Sequence, residues 1–297
     1  MQLILLAVLI VAGFLLAKIN LVTPKRIQYG NTWIINVALP AVALKNIPFL
    51  NFSSDLLAPI ISPMLLFGCS ALFFFGILGK WLKPQEKVVL TVLGGLGNTS
   101  FMGYPMLTFF YDESYLSMAV VFDQATFLMF STAAQYVIAS QQGNGLDWKK
   151  TAKKILTFPP LIGLVVGALI PKIWLSDDIL MVLGWIGWTI TPVAMMIVGY
   201  QIARFVDFNF TRSMYLGLIY KLVLAPVIVL LFVLLLGVSD EFIRTCTMEA
   251  AMAPMITASI LLSDNNFLPK LTSQVLCWGI LFSFITASAW YGILEML

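Results

Sequence analysis

Hydrophobic residues run along this chain in long blocks, and polar residues are confined to short gaps between them. Ten apolar segments can be marked, at about 1–18, 29–47, 56–79, 87–110, 115–139, 155–171, 179–202, 213–238, 242–262 and 271–294. Most approach the ~20 residues that a helix needs to cross a bilayer. The pattern predicts an all-α polytopic protein with ten transmembrane helices, residues 1–297 forming one membrane domain. The first block, Met1 to Ala17, has no basic leader and no clear small-residue cleavage site. It is therefore expected to be the first span and not a removable signal peptide.

Two blocks break the pattern. The fourth contains Gly94-Gly95-Leu96-Gly97-Asn98-Thr99-Ser100-Phe101-Met102-Gly103-Tyr104-Pro105 where an ordinary span would carry Leu and Val. Pro105 removes a backbone donor and crowds the preceding turn. Such a break is tolerated at membrane depth only where protein or a water-filled cavity satisfies the freed groups. The ninth block is interrupted at Glu249-Ala250-Ala251-Met252-Ala253-Pro254. Locally, Tyr104-Pro105-Met106-Leu107-Thr108 resembles Ala253-Pro254-Met255-Ile256-Thr257. Broken spans in corresponding halves are the best sequence pointer to a transporter's binding site.

Further faint matches support two halves. Gly13-Phe14-Leu15-Leu16-Ala17-Lys18-Ile19 resembles Gly167-Ala168-Leu169-Ile170-Pro171-Lys172-Ile173, and Pro40-Ala41-Val42-Ala43 resembles Pro192-Val193-Ala194-Met195. The matches recur in order, spaced by about 150 residues, as expected for a duplication. Residues 1–140 and 155–297 would then be two five-helix repeats. An odd number of spans per repeat makes the second repeat inverted.

Charge placement supplies an orientation. Odd-numbered connections hold Lys18, Lys25, Arg26, Lys80, Lys83, Lys87, Lys149, Lys150, Lys153, Lys154, Arg204, Arg212 and Lys270; even-numbered ones hold Lys45, Lys172 and Arg244. The positive-inside rule puts the odd connections in the cytoplasm and both termini outside. The expected location is the inner (plasma) membrane, with multiple passes.

Composition sharpens this picture. Of 297 residues, 60% are hydrophobic and 10% charged, which is far from soluble proteins. Lys221 lies inside a span, where it pairs with Glu249 or Asp123, attracts an anionic substrate, or snorkels to the cytoplasmic interface. There is no His, so His-based metal sites and general bases are excluded. Cys69, Cys246 and Cys277 are scattered without metal or redox spacing. No phosphate-cradling motif or His-Glu-x-x-His is present, so neither an ATP motor nor an enzyme is expected. No cofactor, metal site or nucleic-acid partner is expected.

Two half-helix N-termini at the breaks would offer partial positive charge and free N–H groups to a carboxylate. Asn98, Thr99, Ser100, Tyr104, Pro105, Pro254 and Thr257 are the candidate substrate-binding residues. For the polar ones, the competing reading is hydrogen bonding between packed helices. Asp123, Gln124 and Glu249 are the candidate ion-coupling residues, because a carboxylate in a span is expensive unless it functions. A proton or Na+ would be the coupled ion; the competing reading is a helix-to-helix hydrogen bond or a cap on freed backbone donors.

Gly97-Asn98-Thr99-Ser100-Phe101-Met102-Gly103-Tyr104-Pro105-Met106 resembles the Gly-Asn-Thr-Gly-Phe-Leu-Gly-x-Pro-Leu signature of the auxin efflux carrier family. Phe122-Asp123-Gln124, the Ala253–Thr257 stretch and the ten-span layout are also similar. Ser100 departs from the usual Gly. The resemblance implies an elevator-type secondary carrier with 5+5 inverted repeats, its broken spans crossing at Pro105 and Pro254. It implies transport of small organic anions such as malate, malonate or auxin-like acids, and a homodimer as in many elevator carriers. The short connection after span 5 resembles bacterial members known as malate or malonate permeases. Two alternatives stand beside this reading: a sodium-coupled symporter of the bile-acid type, and a non-transporting membrane sensor or interaction subunit.

Overall fold

The computed structural model describes residues 2–50, 53–143, 145–205 and 210–297, excepting the side chains of residues 2–4 and 205. Parts of the connections expected at Pro48–Asp55, Gln141–Lys154 and Arg204–Arg212 lie outside these residues. Among the described residues the structure is helical, with no strand beyond a single two-residue bridge.

The first half runs α1 (Gln2–Lys18), α2 (Pro24–Trp33), α3 (Leu39–Asn46), α4 (Leu57–Ala71), α5 (Pro84–Gly95), α6 (Tyr104–Phe110), α7 (Leu116–Met129) and α8 (Gln135–Gln141). The second half runs α9 (Trp148–Leu156), α10 (Pro159–Leu169), α11 (Asp177–Trp188), α12 (Ile190–Phe205), α13 (Arg212–Ile219) and α14 (Ala225–Leu236). It ends with α15 (Asp240–Ala251), α16 (Ile256–Asp264) and α17 (Pro269–Leu294). Among the described residues, six helical runs are long and apolar enough to cross a bilayer: Pro24–Phe49, Ser54–Ile77, Glu113–Gln141, Asp177–Arg204, Arg212–Leu236 and Pro269–Leu294. The pair α9 and α10 adds a seventh if its 54° bend lies within one span. The protein is thus a multi-pass membrane protein. The expected first segment is a shorter apolar helix, and the fourth and ninth are each two helices.

Local chemistry sets many of these ends. Pro24, Pro84, Pro159 and Pro269 open α2, α5, α10 and α17 at the first position, where a missing N–H costs nothing. The Thr23, Ser176 and Thr211 hydroxyls accept from the backbone N–H three residues on, as helix caps do. Gly237 closes α14 in the left-handed conformation (φ 64°) that glycine adopts without a steric penalty.

Proline also explains three wide turns within spans. Pro40, Pro105 and Pro226 are each the second residue of a helix that follows a π-helical turn, at Ile34–Ala38, Thr99–Gly103 and Tyr220–Leu224. A proline ring clashes with the carbonyl four residues back and cannot donate to it. Here those carbonyls belong to Asn36, Phe101 and Leu222, all inside the widened turns. The Leu222 carbonyl accepts instead from the Trp290 indole at 3.0 Å.

Small residues bring helices together. An added Cβ at Gly13 of α1 would lie 2.1 Å from the Met196 carbonyl oxygen of α12, and one at Gly199 of α12 would lie 2.0 Å from the Ile10 carbonyl oxygen. Likewise Gly163 and Gly167 of α10 face Pro40 and Ala43 of α3. Such backbone-to-backbone approach is the usual way for helices to associate where burial from water cannot drive them. Two apolar clusters form the interior: one contains Ala38, Met102, Ala194 and Met252, the other Phe74, Leu93, Tyr220 and Ala250. The breaks in the fourth and ninth segments lie where the clusters meet.

Gly199→Leu tests this packing. The substitution should lower the thermal midpoint of the detergent-solubilised protein, costing about 1–3 kcal/mol of overpacking. An unchanged midpoint would mean that α1 does not dock on α12 at this contact.

Candidate functional site

The two broken segments meet backbone to backbone. After α5, Leu96 is extended (φ −118°, ψ 123°); after α15, Met252 is extended (φ −65°, ψ 155°). Asn98 N–H donates to the Ala253 carbonyl at 2.8 Å, and Met255 N–H donates to the Leu96 carbonyl at 3.1 Å. These bonds make a short antiparallel bridge between Gly97 and Pro254. Gly97 leaves little room for a side chain: an added Cβ would lie 3.2 Å from the Glu249 carbonyl oxygen and 3.3 Å from Lys221 Nζ. The contact between the breaks therefore falls on Gly97 and Pro254, and not on the two prolines. Pro254 sits in the extended break, whereas Pro105 lies further on, at the start of α6. The matching Pro-Met motifs are thus in different local structure.

Four helix ends converge here, and they sort by polarity. The helical run that begins at Thr99 and the helix that begins at Ile256 present N-termini. Their first intrahelical bonds come from Met102 and Ser259, so the amides of residues 99–101 and 256–258 precede any intrahelical partner. The ends of α5 and α15 present carbonyls.

At the N-terminal pole lies Asp123, from α7, 5% exposed. The Thr99 and Ser100 hydroxyls both donate to its Oδ1, and Gln124 Nε2 donates to Oδ2 at 3.1 Å. The Tyr104 hydroxyl approaches the same carboxylate. Asn98, Thr99, Ser100, Asp123 and Thr257 line one cavity of about 70 Å3, together with Phe127, Phe130 and Phe158. Phe127 and Phe158 stack with centroids 3.5 Å apart. The Asn98 side-chain amide nitrogen and the Gln124 Oε1 are buried without a hydrogen-bond partner.

At the C-terminal pole lies Lys221, fully buried, whose ammonium donates to the Ala250 carbonyl at 2.9 Å. It does not snorkel. Glu249, also fully buried, lies against Gly103: an added Cβ there would come within 2.2 Å of Glu249 Oε2. Neither carboxyl oxygen of Glu249 has a hydrogen-bond partner.

A larger cavity of about 590 Å3 approaches from the side of Lys45, Glu113 and Trp188 and reaches Tyr104, Pro105 and Thr108. Glu113 bridges its rim, accepting from Lys45 Nζ at 2.6 Å and from the Trp188 indole at 2.7 Å. Tyr104 lines the large cavity, and its hydroxyl approaches Asp123, which lines the small one.

Asn98, Thr99, Ser100, Tyr104, Asp123, Gln124 and Thr257 thus come together. Pro254 supports them from the break, packed on Gly279 of α17. Pro105 faces the other cavity, and Glu249 lies on the far side of Gly103. Lys221 is the residue that sequence reasoning undervalued. The available signal was its place five residues before Pro226, beside a widened turn that must face protein.

Residues 1–291 match the model of a family described as membrane transport protein. The chain belongs to this family, that of the auxin efflux carriers. An uncharacterized transporter of Methanothermobacter thermautotrophicus is 23% identical over 297 residues, covering 97% of this chain and 95% of that protein. The uncharacterized transporter MJ1031 of Methanocaldococcus jannaschii is 26% identical over 208 residues, 66% of each chain. Membership of the family marks the chain as a transporter rather than an enzyme.

The contact of Gly103 with Glu249 can be tested by a double-mutant cycle. Gly103→Ala should destabilise the protein by about 1–3 kcal/mol. Glu249→Ala in the same chain should recover part of that loss, giving a coupling of about 1 kcal/mol or more in thermal unfolding. Strictly additive effects would separate the two residues.

Proposed function

We propose that this protein is a secondary carrier of small organic anions, carboxylates such as malate, malonate or auxin-like acids, working by alternating access. The observation that carries this reading is the N-terminal pole of the crossing. Two helix N-termini whose first amides have no intrahelical partner, and Asn98 with its buried, unpartnered side-chain amide, belong to residues that line one small cavity. Asp123 supports the choice of ligand: the protein's own carboxylate is held there by Thr99 and Ser100. Asn98, Thr99, Ser100 and Thr257 would contact the substrate carboxylate, Tyr104 would gate it from the larger cavity, and Pro105 and Pro254 would hold the breaks open. Asp123, Gln124 and Glu249 are assigned to coupling by H+ or Na+.

The same reading gives ten spans in the inner membrane as two inverted repeats, 1–140 and 155–297, with both termini outside the cytoplasm. Reciprocal packing supports it: Gly13 meets Met196, and its counterpart Gly167 meets Ala43. In an elevator cycle, the crossed segments would move past the α1–α12 and α3–α10 pairs, in a homodimer joined through that scaffold.

Counterflow of radiolabelled malate, malonate and indole-3-acetate in proteoliposomes tests the proposal. Asn98→Ala should reduce exchange roughly tenfold or more, the loss of a hydrogen bond to a charged group. Unaltered exchange in Asn98→Ala would move the site elsewhere, and no exchange of any acid would favour a sensor or interaction subunit. Asp123→Asn should keep counterflow but lose acceleration by a pH gradient; retained acceleration would remove Asp123 from coupling.

A further inference from the structure

The C-terminal pole of the crossing is where a broken-helix carrier would bind a coupling cation, because unwound carbonyls and half-helix C-terminal ends attract positive charge. In this protein that place already holds a side chain. Lys221 is 0% exposed, and its ammonium donates to the Ala250 carbonyl in the last turn of α15. The same ammonium lies 3.3 Å from where a Cβ on Gly97 would sit, beside the bridge itself. The buried Glu249 side chain belongs to the same last turn of α15, one residue before Ala250. A buried ammonium is costly unless fixed partners hold it, and here the partner is the carbonyl end of α15.

We infer that Lys221 is a tethered cation, occupying at the crossing the position that an alkali ion would otherwise take, so that of the two coupling ions named above Na+ is excluded and only H+ remains. The geometry argues against Lys221 and an alkali ion at once. A second cation beside the Lys221 ammonium would meet like charge in a dry interior, where screening is weak. The tether also explains why Gly97 and Gly103 are both glycine. One leaves room for the ammonium and the other for the Glu249 carboxyl, so the pole is packed around both side chains. The bound charge does not leave with the substrate, and the crossing remains neutralised through the whole transport cycle.

Two measurements test this, and only the second rests on the carrier reading. In the first, thermal unfolding is followed in detergent with equimolar NaCl, methylammonium chloride or choline chloride. Wild type should show the same midpoint in all three. Lys221→Ala, which vacates the pole, should gain about 3 °C or more from Na+ or methylammonium relative to choline. Should Lys221→Ala not fold, Lys221→Gln, which keeps one donor for the Ala250 carbonyl, takes its place with the same reading. Specific stabilisation of wild type by Na+, or no cation effect on the vacated variant, overturns the inference. In the second, anion counterflow by wild type should be equal in Na+ and choline. Lys221→Ala should lose about tenfold in choline and recover severalfold with methylammonium or Na+. A Na+ requirement in wild type, or full activity of Lys221→Ala in choline, also overturns it. If no acid is exchanged by any form, the carrier reading fails while the thermal result still decides the role of Lys221.

Discussion

A helix interrupted inside a membrane protein exposes backbone groups that water cannot reach, and two such interruptions meet here. Each unsatisfied group would cost several kcal/mol in the hydrocarbon region. The protein answers by turning the breaks toward each other. Asn98 and Met255 donate across the bridge to Ala253 and Leu96. The remaining helix ends are divided by sign, with Asp123 at the amide pole and Lys221 at the carbonyl pole. Most of the surrounding architecture serves this contact: glycines at 97 and 103 admit the charged side chains, and Gly279 of α17 admits Pro254.

The same economy of backbone groups governs the spans around it. Pro40, Pro105 and Pro226 would each strand a carbonyl in a regular helix. Each instead follows a widened turn, and at Leu222 the indole of Trp290 takes up the carbonyl. These turns place Thr99 to Gly103 and Tyr220 to Leu224, with Lys221 among them, against the crossing. Irregular backbone therefore concentrates where the candidate site lies, as is common for π-turns.

The two cavities give the site its chemical sense. The smaller one is built from hydroxyls, amides and a carboxylate under an aromatic cover, and the larger one reaches it only as far as Tyr104. Tyr104 lines the large cavity and its hydroxyl approaches Asp123 in the small one, and the proposed gating rests on that position. The family to which the chain belongs makes transport the natural use of such an arrangement.

The sequence alone determined the class of the protein, because long apolar blocks with charged gaps have no other stable solution in water or lipid. It also located the two breaks, since glycines, a proline and three consecutive polar residues are conspicuous in an apolar run, and it singled out Asp123 and Glu249 because buried carboxylates are rare. What it could not decide was partnership. The Pro-Met motifs at Pro105 and Pro254 look equivalent in one dimension, yet the bridge forms at Gly97, because pairing follows where the backbone is extended. Lys221 could equally have snorkelled from the end of a long apolar span; only the packing of α13 to α15 turned its ammonium inward to the Ala250 carbonyl. Glu249 and Asp123 read alike in the sequence, but tertiary contacts gave one three donors and left the other without a hydrogen-bond partner against Gly103. Periodicity and composition record which residues are buried, whereas the identity of each buried group's neighbour is set by helix crossings that a linear pattern does not contain.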